Sequence, residues 1–196
     1  MDSLSRPNFF GECSLALNTI RSKEVGKGLL KTIAAKCLLS GKSVFIAYYQ
    51  ASLAGVSGEA TETFGYQKVD DEGRVYFVPG QGQSASVSWD PIDPGPPYAP
   101  RPAFVGLAHE LIHAFLMLHG MQIADTNTTE GLAINECQVV GLGRFSDEPF
   151  TENAIRDEHD IDRRTKYEKD GRDFAKDDVI TGRKQLPFFT SADRRP

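Results

Sequence analysis

The clearest hydrophobic pattern in the chain is the segment 103–118, AFVGLAHELIHAFLML, in which polar residues are rare. Sixteen residues are too many for an ordinary strand, and the flanks carry helix signals. Pro102 suits the first turn of a helix, and Gly120 suits its C-terminal cap. We therefore predict a deeply buried helix over about 103–118.

The N-terminal half shows weaker patterns. Apolar residues at helical spacing over 15–38 predict two short helices or one interrupted helix, because Gly26 and Gly28 weaken the middle. The polar stretch 56–67 predicts a loop. Runs rich in β-branched and aromatic residues, or alternating in polarity, predict three strands, at 43–49, 74–78 and 84–90.

Proline dominates the segment that precedes the long helix. Six prolines among residues 91–102 exclude a regular helix or a central strand, and they predict a stiff, extended connector. After the helix, polar residues 124–131 predict a loop, and 132–143 predict a helix or turn that stops at a Gly-x-Gly pair. Thr151 is expected to cap a short helix that begins at Glu152.

Composition narrows the class of protein. The 196 residues, 40% hydrophobic and 25% charged, suit one domain over 1–196, with 1–14 and about 186–196 expected to be flexible. A net charge of −5 gives no basic excess, so we expect no nucleic-acid partner. Three widely spaced cysteines favour a reducing compartment. We also expect no membrane span and no signal for the general export route.

The long predicted helix carries an H-E-x-x-H motif at His109, Glu110 and His113. Residues four apart lie on one face of a helix about one turn apart, so both imidazoles can bind one metal ion. Glu110 points roughly 100° away, toward water at the metal. Zinc acidifies that water and polarises a carbonyl, and the glutamate carries the proton to the leaving amine. We predict one catalytic zinc ion per chain.

A third ligand must come from elsewhere in the chain. His119 has the spacing of H-E-x-x-H-x-x-G-x-x-H, but Leu116 stands where that pattern needs a helix-breaking glycine. No methionine follows Met121, so the methionine turn of that class is also missing. In an unbroken helix His119 lies about 15 Å along the axis from His109. We therefore expect His119 to end the helix.

A glutamate is the better candidate. Glu136 lies 23 residues after His113 in an otherwise apolar segment, where a carboxylate needs a partner. Glu152 is the alternative, although its place at a helix N-terminus already explains it. The predicted ligands are therefore His109, His113 and Glu136, with Glu152 left open.

Four segments, HELIHAF, NECQVVGLG, FTENAIRDEH and RRTKY, resemble in this order the NleD-like zinc metalloproteases. These are effectors that pathogenic bacteria inject into host cells by type III secretion. The similarity extends from about residue 80 to Tyr167 and is weak over 1–70. It implies a monomeric zinc endopeptidase in the host cytoplasm that cleaves host MAP kinases in the activation loop and so suppresses immune signalling.

The predicted site is also similar to that of clostridial neurotoxin light chains. In those toxins the ligating glutamate precedes a glycine by five residues, as Glu136 precedes Gly141 here. Their Arg-x-x-Tyr motif matches Arg164 and Tyr167, which implies that these two residues stabilise the oxyanion. Arg163 is the alternative if the register shifts by one.

Three further residues follow from this resemblance. Asn135 stands where the toxins carry a second glutamate, so that supporting role is not carried over. Cys137 is expected to pack rather than to bind zinc, because its side chain faces away from Glu136 on a helix. Arg156 in T-E-N-x-x-R is expected to hold Glu136 or another carboxylate near the metal.

The fold that the resemblance implies is α+β and zincin-like, of the gluzincin type. A small mixed or antiparallel sheet precedes the H-E-x-x-H helix, and a helical subdomain follows it. An edge strand of such a sheet pairs with extended substrate, and we expect residues 84–90 to be that strand. The alternative function is a zinc-stabilised module that binds a host protein with vestigial catalysis. Glu110 argues against it, because a structural zinc site has no use for that residue.

Overall fold

The described part of the chain contains five α-helices and five short strands. The computed structural model describes residues 6–49, 55–57, 66–69, 75–122 and 134–167. In chain order the elements are α1 (Phe9–Arg21), α2 (Glu24–Ser40), β1 (Val44–Tyr48), β2 (Gly55–Ser57), β3 (Tyr66–Val69), β4 (Val75–Val78), β5 (Ala85–Trp89), α3 (Ala103–Leu118), α4 (Ile134–Val140), a 3₁₀ turn (Gly143–Phe145) and α5 (Glu152–Glu158). None of the helices within these ranges has the length and apolarity needed to cross a bilayer.

The centre of the sheet is β5. It pairs in parallel with β1 on one side and antiparallel with β2 on the other, whereas β3 and β4 form a separate antiparallel pair. The prediction that residues 84–90 form an edge strand open to substrate is therefore wrong. Alternating polarity reports which side chains face the core, and it says nothing about whether the backbone edges are already paired.

The hydrophobic core lies between α3 and the inner face of β5. Ala85, Val87 and Trp89 are buried on that face, and the indole N–H of Trp89 donates to the carbonyl of Ala103 at 2.9 Å. Thirteen of the sixteen residues of α3 are buried. The helix predicted over 103–118 is confirmed at both ends, and Gly120 after it has φ 64°, the left-handed conformation typical of this cap.

The helical pattern of the N-terminal half resolves into two helices. The break falls at residues 22–23 rather than at the glycines, and residues 9–14, which we expected to be flexible, begin α1. Gly26 lies inside α2 because the helices pack closely there. A Cβ at this position would lie 2.0 Å from the carbonyl oxygen of Ile20.

Other predictions have mixed outcomes. The strand predicted at 43–49 is confirmed as β1, and Phe45 is 64% exposed because side chains alternate between the two faces of a strand and Phe45 lies on the exposed face. The loop predicted at 56–67 is wrong in part, since β2 and the start of β3 fall within it. The loop predicted at 124–131 and the flexible segment at about 186–196 lie outside the described residues.

Glu158 at the end of α5 caps the N-terminus of α2. Its carboxylate accepts hydrogen bonds from the backbone N–H groups of Val25 at 2.7 Å and Gly26 at 2.9 Å. Glu158→Ala should lower the free energy of unfolding by about 1–2 kcal/mol, measured by urea denaturation. Asp157→Ala is the control, because Asp157 forms an exposed pair with Arg163 that contributes less than about 1 kcal/mol. Equal losses in both variants contradict the capping role.

Candidate metal centre and active site

Three side chains from α3 and α4 converge on one point. Nε2 of His109 lies 3.1 Å from Oε2 of Glu136, and Nε2 of His113 lies 3.3 Å from Oε1 of the same carboxylate. The two imidazoles share one face of α3, with ring centroids 5.0 Å apart. One ligand atom from each of the three residues lies within 4.8 Å of the others.

The donor atoms of this cluster fit a zinc ion in chemistry and in spacing. Zinc binds imidazole nitrogen and carboxylate oxygen at about 2.0–2.2 Å, which places the donors of a tetrahedral site roughly 3.3 Å apart. Each histidine nitrogen lies at about that spacing from one oxygen of Glu136, His109 at 3.1 Å from Oε2 and His113 at 3.3 Å from Oε1. The histidine side chains are 6% and 7% exposed, whereas that of Glu136 is 18% exposed, so the cluster is more accessible at Glu136.

Opposite charges stabilise one another within the cluster. Burial disfavours a charged His109, but hydrogen bonds to Glu136 and then Glu152 outweigh it and raise the pKa of His109 to about 9. Burial likewise opposes ionisation of Glu136, but hydrogen bonds from His109 and His113 hold its pKa well below the usual range. A metal ion that binds here must displace a proton.

Glu152, the alternative ligand, contacts the opposite nitrogen of His109. The Nδ1–H of His109 donates to Oε2 of Glu152 at 2.7 Å, and the glutamate is fully buried. This contact fixes the imidazole tautomer that leaves Nε2 free for a metal. The helix cap is supplied instead by Thr151, as predicted, whose hydroxyl accepts from the N–H of Ala154 at 3.0 Å.

Arg156 holds a carboxylate, as expected, but that carboxylate is Glu152 and not Glu136. Its Nε donates to Oε1 of Glu152 at 2.7 Å. Its terminal nitrogens donate to the carbonyls of Ala99 and Pro100 in the proline-rich connector, each at 3.3 Å. Arg156 therefore fastens the connector to α5 beside the site.

Arg164 is buried next to the cluster. Its Nη1 donates to Glu152 at 3.4 Å, and its Nε donates to the carbonyl of Lys166 at 3.0 Å. Its Nη2 donates to the carbonyl of Tyr167 at 2.6 Å and to the hydroxyl of Tyr98 at 3.4 Å. These bonds engage four of the five N–H donors of a guanidinium. The structure thus brings Arg164 to the site and directs most of its donors to the protein itself.

Tyr167 lies between Arg164 and a small apolar cluster. The guanidinium of Arg164 is 4.7 Å from the centre of its ring. Burial, and after it the charge of Glu136, raise the pKa of Tyr167, so its hydroxyl stays protonated at neutral pH. Glu110 is half-buried, and its charge makes the smallest of the contributions that raise the pKa of His109 and of Tyr167.

Other side chains considered from the sequence lie at the periphery. Arg163 is half-exposed and pairs with Asp157 at 3.6 Å, so Arg164 and not Arg163 reaches the cluster. His119 follows the last residue of α3, where its Nδ1 lies 2.8 Å from the carbonyl oxygen of Phe115. The end of the helix is the place expected for it.

The two neighbours of Glu136 have structural surroundings. Cys137 is buried and packs with Val140, Leu142 and Phe145, as expected for a packing residue. Asn135 accepts the backbone N–H of Glu136 at 2.7 Å through its side-chain oxygen. That contact lies at the start of α4.

Sequence reasoning missed three residues of this neighbourhood. Asn153 clamps the backbone of Arg164, accepting its N–H at 2.8 Å and donating to its carbonyl at 2.9 Å. In the connector, the hydroxyl of Tyr98 donates to the carbonyl of Tyr167, and Nη1 of Arg101 lies 3.5 Å from Glu152. The available signal for Tyr98 and Arg101 was that a tyrosine and an arginine stand among the prolines of the connector.

An H-E-x-x-H helix with a converging glutamate and a further glutamate between its histidines is the arrangement of a metallopeptidase. Residues 5–167 match the model of the family Peptidase_M91, described as "Effector protein". The chain therefore belongs to peptidase family M91, a family of effector proteins. The match includes the N-terminal part, where the resemblance read from the sequence was weak. No curated protein matches the chain significantly.

Among solved structures, the chain is similar to the catalytic domain of Clostridium botulinum neurotoxin serotype F. The identity is 14%, the TM-score is 0.45, and the match covers 76% of this chain. It covers 45% of the neurotoxin chain, so this protein corresponds to less than half of that catalytic domain.

Proposed function

We propose that the protein is a zinc endopeptidase of the gluzincin type. One zinc ion is held by Nε2 of His109, Nε2 of His113 and the carboxylate of Glu136. The observation that carries the proposal is the convergence of these three residues, one ligand atom of each lying within 4.8 Å of the others. Three protein ligands leave a position for water and substrate, as in catalytic zinc sites.

The side chains around the metal have different roles in the proposed reaction. When bound, zinc supplies Lewis acidity toward the scissile carbonyl and lowers the pKa of water. Glu110 takes the proton of the attacking water and delivers it to the leaving amine. Glu152 keeps the proton of His109 on Nδ1.

The oxyanion is stabilised from the other side of the site. The hydroxyl of Tyr167 donates a hydrogen bond to it, and Arg164 supplies positive charge behind the tyrosine ring, 4.7 Å from its centre. Arg164 is held in this place by its hydrogen bonds to Glu152, Tyr98 and the carbonyls of Lys166 and Tyr167.

We further propose that the substrates are host MAP kinases, cut in the activation loop. The resemblance to NleD-like proteases supports this substrate class, and the description of the family as effector proteins agrees with action inside a host cell. The protein would reach the host cytoplasm by type III secretion and act there as a monomer.

The purified protein should cleave at least one member of a panel of MAP kinases. We expect chelation to stop cleavage, added zinc to restore it, and circular dichroism to show that the chelated protein stays folded. Mass spectrometry of the fragments locates the cut. A chelated protein that unfolds and a zinc-loaded protein that cuts no kinase would instead support a zinc-stabilised binding module.

A further inference from the structure

Three arginine side chains surround the carboxylate that holds His109. Glu152 is fully buried, with Oε2 at 2.7 Å from Nδ1 of His109. Arg156 binds its Oε1 at 2.7 Å, while Nη1 of Arg164 and Nη1 of Arg101 lie 3.4 and 3.5 Å from its Oε2. Arg156 and Arg164 also bind main-chain carbonyls, so they fasten parts of the fold together.

The surroundings of Arg101 differ from those of the other two arginines. Its side chain is 10% exposed, and it forms ion pairs with Glu152 at 3.5 Å and with Asp93 at 3.8 Å. Its Nε is buried and has no hydrogen-bond partner among the residues that the structure describes. Burying a guanidinium is unfavourable unless a partner compensates it. The deeply buried partner of Arg101 is the carboxylate that orients His109.

The chain makes room for this guanidinium on two sides. A Cβ on Gly95, which has φ 77°, would lie 2.7 Å from Cγ of Arg101. A Cβ on Gly106 would lie 3.2 Å from its Nε. Gly95 belongs to the proline-rich connector, whereas Gly106 belongs to α3, three residues before His109. The connector and the metal-binding helix therefore both leave space for the side chain that reaches Glu152.

We propose that Arg101 is a positioning residue of the metal centre. Its guanidinium fixes the carboxylate of Glu152 in the orientation in which Oε2 accepts the Nδ1 proton of His109, so that Nε2 faces the metal. The proposal rests on the proposed function, since it requires His109 to be a ligand. It makes the proline-rich connector part of the metal site, although the connector supplies none of the proposed ligands.

Zinc affinity tests this role without any substrate. Carboxylates that orient metal ligands typically contribute about 10–100-fold in affinity, and Arg101 acts one contact further out. We therefore expect Arg101→Met to raise the zinc Kd of the full chain about tenfold, measured by competition with a chromophoric chelator. Arg163→Met is the matched control, because it removes the same charge from an exposed pair with Asp157. Its zinc Kd should equal that of the wild type.

A second measurement separates positioning from folding. Chelated Arg101→Met should still unfold in one cooperative transition, even at a lower Tm, while the visible spectrum of its cobalt-substituted form shifts and that of Arg163→Met does not. If Arg101→Met does not fold, Arg101→Lys carries the test, because an ammonium keeps the charge but lacks the planar fork. Wild-type zinc affinity in a folded Arg101 variant overturns the proposal. A wild-type chain that binds no zinc overturns the proposed function instead.

Discussion

Replacing Glu110 with glutamine should slow cleavage at least about a hundredfold while the fold and the metal remain. Glutamine keeps the size of the side chain but cannot take a proton from water or deliver one to the leaving amine. General acid–base catalysis by one side chain contributes on the order of 10²–10⁴-fold, so kcat should fall by about that factor. Cleavage of a substrate kinase under single-turnover conditions, together with the zinc content of the variant, measures both parts.

Glu148→Gln is the matched control for Glu110→Gln. Glu148 is half-buried, lies outside the metal cluster, and has a pKa raised to about 7 by burial and by the charge of Asp147. Glutamine there replaces a group that is often neutral already, so activity should not change. If Glu110→Gln cuts the kinase at a tenth of the wild-type rate or faster, Glu110 is not the general base.

Glu136→Gln should mainly weaken zinc binding, whereas Glu152→Gln should mainly lower the stability of the chelated protein. Glu136 is proposed as a ligand, so its replacement should weaken zinc binding by more than the roughly 10–100-fold typical of an outer contact. In the chelated protein, Glu136→Gln should lower the free energy of unfolding by no more than the contribution of the hydrogen bonds between Glu136 and charged imidazole. That contribution is about 1.5–3 kcal/mol. Glu152→Gln should weaken zinc binding less, but it leaves three guanidinium groups around a neutral side chain. Breaking such a buried pair costs about 3–5 kcal/mol.

Chelator competition gives the zinc Kd of each variant, and urea denaturation of the chelated variants gives the free energy of unfolding. Glu136→Gln should have the larger effect on zinc affinity, and Glu152→Gln should have the larger effect on stability. Zinc retained by Glu136→Gln and lost by Glu152→Gln would make Glu152 the third ligand. That outcome reverses the assignment without affecting Glu110.

Features of the fold that depend on a single segment were predictable, because the hydrophobic pattern and the residues at the ends of that segment determine them. The apolar run, Pro102 and Gly120 predict α3 to the residue, since burial and both ends are written into one segment. The central position of β5 was not predictable in this way. Its partners are β1, which lies 37 or more residues earlier, and the short β2, which has no alternating pattern of its own.

The same limit applies to the site. The spacing of His109 and His113 is a property of one helix, and Glu136 is conspicuous as a carboxylate in an apolar segment. Glu152 was explained too easily as a helix-terminal carboxylate, because its contact with His109 spans 43 positions. Tyr98 and Arg101 gave still less signal. Their partners, Tyr167 and Glu152, lie 69 and 51 positions away.

The centre is assembled from residues scattered between Tyr98 and Tyr167. In an unfolded chain His109 and His113 remain close in sequence, but Glu136, the proposed third ligand, and Glu152, the partner of Nδ1 of His109, are no longer held beside them. Under the proposed function such a chain would be latent, because it would have Glu110 without the metal environment in which that residue is proposed to act. Under the proposed function, folding itself would convert an inert polypeptide into a peptidase, because only the folded chain brings Glu136 and Glu152 to His109.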